Sequence, residues 1–364
     1  MESHAEGGDG ERPLRVLVVD DSVIYRALVA EALRDIPWVE VVGAAQDGER
    51  ALEKIACAAP DVLTLDLEMP RMDGISLLRR LRELHPEVGA IMLSAYTRDG
   101  SREAVEALQA GAFDCVEKPA ATSLARSAER LRGELVERLR AFRACRAGAP
   151  PPRAAQISEP ARATAGDGPV PAEIVAIAAS TGGPRALAEI LARLPADLRA
   201  PVLIVQHLPR EFTASLAESL DRKGPLRVRV ARDGERVERG TALLAPGDRH
   251  MKVAEAEDPG GDLRIALSDE PAENGCRPAA DCLFRSLAAV RGRETLAVVL
   301  TGMGTDGLLG ARLLKRKGAT VFAQDPSSSV AWGMPRSIVE AGLADRVLRL
   351  EEMAAAIAAS TERS

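Results

Sequence analysis

Residues 174–184 read Ile-Val-Ala-Ile-Ala-Ala-Ser-Thr-Gly-Gly-Pro, and this stretch decides the fold of the second half of the chain. Six apolar or small residues lead into Ser180, two glycines and a proline follow, and an amphipathic segment begins at Arg185. The pattern predicts a buried strand, a tight turn and the start of a helix. Ser180 is therefore expected at the carboxyl end of a strand, where open α/β sheets bind ligands.

The residues around Ser180 allow two interpretations of this turn. Gly182 and Gly183 let the backbone approach a bound group closely, and the helix start offers free N–H groups for an anion or a developing oxyanion. In the structural alternative, Ser180 and Thr181 only cap the helix. The stretch alone does not decide between a catalytic turn and a capping turn.

The composition narrows the class of protein. The chain has 364 residues, enough for two or three domains, and 46% hydrophobic with 28% charged residues is typical of a soluble globular protein. A net charge of −6 argues against a nucleic-acid partner, and no apolar run approaches the roughly 18 residues of a membrane span. The five cysteines have neither metal-ligand nor redox spacing. We therefore expect a cytoplasmic protein without membrane insertion.

The order of strand and helix patterns predicts two α/β domains. Residues 14–140 alternate five strands with five helices, which predicts a flavodoxin-like, doubly wound domain with a five-stranded parallel sheet. Residues 1–13 are predicted to be a disordered leader, and the proline- and glycine-rich residues 141–172 a linker. Residues 173–360 predict a three-layer α/β domain with a mostly parallel sheet and an antiparallel excursion.

Acidic, hydroxyl and basic side chains follow four of the five predicted strands of the first domain. These residues are Asp20 and Asp21 after the first strand, Asp66 after the third, Ser94 after the fourth and Lys118 after the fifth. Because the carboxyl ends of parallel strands share one edge of a sheet, the side chains should converge. Three carboxylates repel each other unless a cation is present, and this oxygen set suits Mg²⁺. The lysine and hydroxyl could then hold a phosphoryl group on Asp66, although each acid could separately be a cap or turn residue.

Residues 14–140 resemble a response-regulator receiver domain. The motifs that carry the resemblance are Val-Val-Asp-Asp-Ser, Leu-Asp-Leu-Glu-Met-Pro-Arg-Met-Asp-Gly, Leu-Ser-Ala and Glu-Lys-Pro. The resemblance implies a histidine kinase as phosphodonor. It assigns phosphorylation to Asp66, Mg²⁺ binding to Asp20, Asp21, Asp66 and the Glu68 backbone, and the switch to Ser94 and Lys118. The family often has an aromatic switch residue where this chain has Cys115.

A second set of side chains follows separate strands of the second predicted domain: Ser180, His207 and Asp306. A serine nucleophile needs a base, and the base needs an orienting carboxylate. Structurally, His207 could simply end a strand and Asp306 could simply belong to a turn. A dinucleotide site is a rival, because Gly302–Gly307 fits G-x-G-x-x-G between a strand and a helix. That motif comes late in the domain, however, and leaves the serine and histidine without a role.

From Ile174 to about Leu350 the chain resembles the catalytic domain of chemotaxis protein-glutamate methylesterases. The motifs include Ala-Ser-Thr-Gly-Gly-Pro, Val-Gln-His-Leu-Pro, Ala-Pro-Gly-Asp-Arg-His-Met and Leu-Thr-Gly-Met-Gly-Thr-Asp-Gly. The resemblance implies a phosphorylation-activated hydrolase that releases methanol from glutamate methyl esters and deamidates glutamine on the cytoplasmic helices of methyl-accepting chemoreceptors. The implied site consists of the triad Ser180, His207 and Asp306, with oxyanion or substrate contacts from Met303 and from Thr181, Gly182 and Gly183.

Two other outputs for a receiver-containing chain remain open. One is a DNA-binding response regulator, which a recognition helix and a basic stripe would indicate; neither is recognisable. The other is a non-enzymatic scaffold for receptors or kinase, against which the intact Ser180, His207 and Asp306 argue. We expect an esterase domain without a cofactor and a monomeric protein.

Overall fold

A computed structural model describes residues 12–94, 98–119, 124–146, 170–256 and 262–362, and the chain divides into two compact units. Of the predicted leader, residues 1–11 lie outside the described residues, as do residues 147–169 of the predicted linker. The first six residues of that predicted linker belong to a helix. Within the described ranges, no helix is both long and apolar enough to cross a membrane.

The first half of the chain contains a five-stranded sheet in the order β2-β1-β3-β4-β5, with every pair of neighbours parallel. Its residues from Val16 to Val19 have no exposed surface, as expected for a strand covered on both faces. The predicted flavodoxin-like sheet is confirmed. The elements are β1 (Leu14–Val19), α1 (Val23–Leu33), β2 (Val39–Ala45), α2 (Gly48–Ala58), β3 (Val62–Asp66), α3 (Gly74–Leu84), β4 (Gly89–Ser94), α4 (Arg98–Ala110), β5 (Asp114–Glu117) and α5 (Leu124–Arg146).

The second half contains a seven-stranded parallel sheet in the order β14-β13-β12-β6-β7-β9-β8, and a separate antiparallel pair, β10-β11. The predicted α/β class with an antiparallel excursion is confirmed, whereas β14 was not predicted. The predicted hairpin turn at 259–261 lies outside the described residues. The elements are β6 (Ile174–Ala179), α6 (Gly183–Arg193), β7 (Val202–Gln206), α7 (Arg210–Asp221), β8 (Arg227–Val230), β9 (Thr241–Leu244), β10 (His250–Glu255), β11 (Leu263–Ser268), α8 (Ala280–Val290), β12 (Thr295–Val299), α9 (Leu308–Arg316), β13 (Thr320–Gln324), α10 (Met334–Glu340), β14 (Arg346–Leu348) and α11 (Leu350–Thr361).

The order of strands places a switch point beside β6. The chain continues from β6 to β7 on one side, and later returns with β12 on the other side. In the register, Ala179 pairs with Gln206 of β7, and Ala178 pairs with Val299 of β12. The carboxyl ends of β12, β6 and β7 therefore lie side by side, at the position where open α/β sheets bind ligands.

Candidate active site

Ser180 follows β6 directly and is held by groups from both neighbouring strands. Its backbone N–H donates to the carbonyl of Thr301, just beyond β12, at 3.0 Å. Its own carbonyl accepts from the Gly183 N–H at 2.7 Å and from the side-chain amide of Gln206, on β7, at 2.9 Å. The residue stays partly exposed. The turn that carries Ser180 is therefore fixed at its backbone by both neighbouring strands.

The glycines of two turns make the close packing around Ser180 possible. Gly182 has φ +78°, a conformation that other residues rarely adopt. A Cβ on Gly183 would overlap Oε1 of Gln206, and a Cβ on Gly302 would lie 2.8 Å from the Ser180 Cβ. Gly302 therefore packs against the turn that contains Ser180. It is the first residue of the Gly302–Gly307 turn, whose sequence alone would suit a dinucleotide site.

His207 follows β7, and its ring lies between a carboxylate and a thiol. Its backbone N–H donates to the Ala179 carbonyl at 3.0 Å. Its Nε2 lies 2.7 Å from Oδ2 of Asp306, and its Nδ1 lies 3.6 Å from Sγ of Cys276. Since an ionised carboxylate only accepts hydrogen bonds, this pairing assigns the hydrogen to Nε2. In the neutral ring Nδ1, which faces the Cys276 thiol, is therefore the atom that can take a proton.

Asp306 is buried, with 2% of its side chain exposed, and is surrounded by donors. It accepts backbone hydrogen bonds from Ala280 at 2.6 Å, Asp281 at 3.1 Å and Gly307 at 2.9 Å. Burial raises the pKa of Asp306, but the hydrogen bond and charge of His207 and the N–H groups of Ala280 and Asp281 outweigh it. The net pKa is below the ordinary value, so Asp306 is ionised at neutral pH.

The contact between His207 and Asp306 lowers the pKa of the carboxyl group but raises the pKa of the imidazole. Burial lowers the pKa of His207, whereas hydrogen bonds and charges from Asp306 and Cys276 raise it, to a net value of about 9. An imidazole with this pKa strongly stabilises a proton once it has received it. It must first be neutral, however, before it can accept the proton of a serine.

Backbone N–H groups are available beside Ser180 from both glycine turns. Gly302 is fixed by its N–H, which donates to the Ala331 carbonyl at 2.9 Å. Among the described residues, the N–H groups of Met303, Thr181 and Gly182 have no protein acceptor. Such groups at the end of a strand and the start of a helix are suited to stabilise an oxyanion.

In the first domain, the structure brings together four of the five side chains that the sequence placed at strand ends, those of Asp20, Asp21, Asp66 and Lys118. Single carboxylate oxygens of Asp20, Asp21 and Asp66 lie within 4.8 Å of one another. Lys118 Nζ lies 2.8 Å from Oδ2 of Asp20 and 2.7 Å from Oδ2 of Asp66. Ser94 is buried at the end of β4, and its carbonyl accepts from the Lys118 N–H at 2.8 Å.

The surroundings of Asp66 in this pocket shift its pKa strongly. Burial raises the pKa of Asp66 to about 6, with Lys118 opposing the shift and the charges of Asp20 and Asp21 adding to it. The donor set consists of carboxylate oxygens, which fits a hard divalent cation such as Mg²⁺. Glu68 lies two residues beyond Asp66 and is exposed.

Sequence reasoning missed two neighbours of these sites. The Lys118 ammonium lies 4.7 Å from the ring centroid of Tyr25, whose hydroxyl donates to the carbonyl of Pro119 at 3.1 Å. Tyr25 lies three residues after the N-cap of α1, and nothing in that spacing points to the lysine that follows β5. Cys276 is likewise distant in sequence from His207 and reaches it by a loop.

Taken together, fold and geometry define a response regulator in which a receiver-type acidic pocket is joined to an α/β domain with serine, histidine and aspartate at three adjacent strand ends. Residues 175–357 match the family model for CheB methylesterase, and residues 16–128 match that for the response regulator receiver domain. The chain belongs to the CheB methylesterase family.

Individual relatives agree with this assignment over nearly the whole chain. A protein-glutamate methylesterase/protein-glutamine glutaminase of Desulfotalea psychrophila is 42% identical over 354 residues, covering 94% of this chain and 96% of the relative. One of Nocardioides sp. is 44% identical over 345 residues, covering 93% of each. The crystal structure of the Thermotoga maritima CheB methylesterase catalytic domain has 40% identity and a TM-score of 0.50, covering 52% of this chain and 99% of that one.

Proposed function

We propose that this chain hydrolyses glutamate methyl esters on the cytoplasmic helices of methyl-accepting chemoreceptors, releasing methanol, and deamidates glutamine side chains there. The observation that carries the proposal is the 2.7 Å contact between His207 and Asp306 at strand ends adjoining Ser180. The names of the relatives supply the substrate class. The protein then acts in chemotaxis adaptation, as a cytoplasmic monomer whose esterase domain needs no cofactor.

In the first half of the reaction, Ser180 Oγ attacks the ester carbonyl carbon. Nδ1 of His207 takes the hydroxyl proton, while Nε2–H donates to Asp306. The ionised Asp306 keeps the imidazole in this tautomer and stabilises the imidazolium that forms. The orientation of the ring, with Nδ1 as the base, follows from the side of the imidazole on which the carboxylate lies.

The tetrahedral intermediate carries an oxyanion that the backbone N–H of Met303 stabilises, with the N–H groups of Thr181 and Gly182 as the second source of donors. The N–H of Gly183, also expected as a donor from the sequence, is already bonded to the Ser180 carbonyl at 2.7 Å. Each donor of this kind is typically worth about 3–4 kcal/mol in the transition state. His207 then returns its proton to the leaving oxygen, and methanol departs. Water, deprotonated by His207, hydrolyses the acyl-serine to glutamate. A glutamine substrate follows the same route with ammonia as the leaving group.

The first domain regulates this site through phosphorylation of Asp66 by a histidine kinase. Asp20, Asp21 and Asp66, with the Glu68 backbone, would hold Mg²⁺, which when bound neutralises charge on the phosphoryl oxygens. Lys118, already 2.7 Å from Asp66, pairs with the phosphoryl group, and Ser94 is the switch hydroxyl. Phosphorylation then raises the activity of the Ser180 site, by favouring the active one of two states of the protein.

The esterase proposal is tested by methanol release from methylated receptor cytoplasmic fragments. The wild type should release methanol, and Ser180→Ala should release it at least about 10³-fold more slowly, because the nucleophile is lost. Ser360→Ala is a matched control that should keep the wild-type rate, since it removes a serine hydroxyl from α11, outside the site. Equal rates for wild type and Ser180→Ala would refute the serine mechanism.

The regulatory proposal is tested by adding Mg²⁺ and a small phosphodonor to the same assay. Release by the wild type should rise, and release by Asp66→Asn should stay at its basal level, because the amide cannot accept a phosphoryl group. Both proteins retain the esterase triad, so the basal rates serve as the internal control. A phosphodonor response that persists in Asp66→Asn would contradict the assignment of the phosphorylated residue.

A further inference from the structure

Asp306 has a second buried carboxylate as its neighbour. Asp281, the second residue of α8, has no exposed surface, and its own backbone N–H donates to Oδ1 of Asp306 at 3.1 Å. Its carboxylate accepts the N–H of Gly310, in α9, at 2.7 Å. Burial raises the pKa of Asp281, and the charge of Asp306 adds to the rise. Two carboxylates thus share the N-terminal end of one helix.

A single side-chain amide connects the two carboxylates. Nδ2 of Asn274 lies 3.0 Å from Oδ2 of Asp281 and 3.4 Å from Oδ1 of Asp306. Because ionised carboxylates only accept hydrogen bonds, the NH₂ end of the amide rather than its oxygen must face them. Its two hydrogens can serve the two acids at once. The amide therefore supplies the donor that this pair of like charges requires.

We propose that Asn274 is a positioning residue of the esterase site, whose amide holds Asp306 oriented toward His207 by offsetting the repulsion of Asp281. This inference rests on the proposed role of Asp306 as the carboxylate partner of the base. In the structure the Asn274 side chain hydrogen-bonds to Asp281 and Asp306 and not to the serine or the imidazole, so it acts through Asp306. Its effect should therefore be on the reaction step rather than on substrate binding.

The local backbone offers a competing reason for an asparagine at this position. Asn274 and Gly275 have φ +53° and +74°, and Glu273 and Cys276 exchange backbone hydrogen bonds of 3.1 and 2.9 Å. These are the features of a type I′ turn, for which Asn-Gly is a preferred pair. Asp-Gly and Gly-Gly suit the same turn. Asn274→Asp and Asn274→Gly therefore keep the turn and remove the amide donor, and Asn274→Asp also adds a negative charge.

The two variants should differ in activity because they differ in charge. Asn274 is exposed apart from its amide contacts, so in Asn274→Gly water can reach the two acids, and we expect a loss of only a few-fold. Asn274→Asp places a third carboxylate where the donor was, and we expect a loss of roughly tenfold. If the asparagine served the turn alone, both variants would match the wild type.

The first measurement is the rate at which a fluorophosphonate labels Ser180 in the full-length chain. Asn274→Asp should lower the maximal labelling rate and leave the half-saturating concentration within about twofold. The decisive comparison adds Asp281→Asn. The single variant Asp281→Asn places two amides opposite each other across the 3.0 Å contact, so it should slow labelling. The double variant Asn274→Asp/Asp281→Asn exchanges the donor and the acceptor of that contact, so it should recover part of the loss. Additive losses in the double variant would overturn the inference.

A second measurement needs no reactivity and separates this inference from the proposed function. The Nε2–H of His207, in its 2.7 Å hydrogen bond to Asp306, should give a low-field proton NMR signal that is lost in His207→Gln. Asn274→Asp should move or broaden this signal, and Asn274→Gly should do so less. An unchanged signal would overturn the positioning role even if Ser180 labels normally. A shifted signal in a chain that does not label would support the role of Asn274 and refute the esterase proposal.

Discussion

The Cys276 thiol provides the sharpest test of the proposed base. With a pKa of about 9, His207 is neutral in only about 1% of molecules at pH 7, so labelling of Ser180 should rise about tenfold per pH unit up to about pH 9. Cys276→Ala removes the contact and charge at Nδ1 that raise this pKa, while burial, which lowers it, remains. The midpoint should therefore move to lower pH. Each unit of movement makes about ten times more neutral imidazole available at pH 7.

The assay is the pH dependence of fluorophosphonate labelling between pH 6 and 10, corrected for hydrolysis of the reagent. Cys276→Ser keeps a hydroxyl that can still hydrogen-bond near the ring, so its midpoint should lie between those of Cys276→Ala and the wild type. Cys57→Ala is the matched control, since Cys57 is an exposed free thiol in the first half of the chain. A midpoint that stays in place or rises in both Cys276 variants would refute the reasoning about Nδ1.

Three further predictions concern other parts of the two sites. Gly302→Ala places a Cβ 2.8 Å from the Ser180 Cβ, so labelling should fall at least about tenfold while thermal unfolding by circular dichroism shows a loss of about 1–3 kcal/mol. Lys118→Ala removes the charge that lowers the pKa of Asp66, so the pKa of Asp66 should rise above about 6. Phosphorylation by a small phosphodonor, measured by gel shift, should then require a higher pH than in the wild type. In the wild type, the Gln206 amide donates to the backbone carbonyls of Ser180 and His207, and Gln206→Glu places a carboxylate against them. The variant should therefore have a lower unfolding temperature and a lower labelling rate. A melting curve like that of the wild type would contradict this role of Gln206.

The residues that follow the predicted strands include most of the side chains that lie together in the two candidate sites. The apolar runs that end at Asp66 and Ser180 are long enough, and bounded sharply enough by turn residues, to place both side chains at sheet edges. The side chains at these strand ends then lie close together, because neighbouring parallel strands end at the same edge of the sheet. The three-residue strand Arg346–Leu348 was missed because so short a segment shows no periodicity.

The contacts that tune the site could not be read from the sequence. Cys276 and Asn274 lie in a loop between β11 and α8, and their approach to His207 and Asp306 depends on how that loop packs. Periodicity describes elements and not loop paths, so only the structure reveals these neighbours. The choice of Nδ1 as the base has the same origin, since it depends on the side of the ring at which Asp306 lies. Tyr25 beside the lysine of the acidic pocket is a further contact of this kind.

The central claim is that Ser180, activated by His207 and Asp306, is the nucleophile of the second domain. The most direct measurement is mass-spectrometric mapping of the fluorophosphonate adduct on the full-length protein, with its rate compared in His207→Ala and Asp306→Asn. The account predicts one adduct, on Ser180, formed at least about 10³-fold more slowly in His207→Ala and more slowly in Asp306→Asn. An adduct on a different residue, or an unchanged rate in His207→Ala, would contradict it.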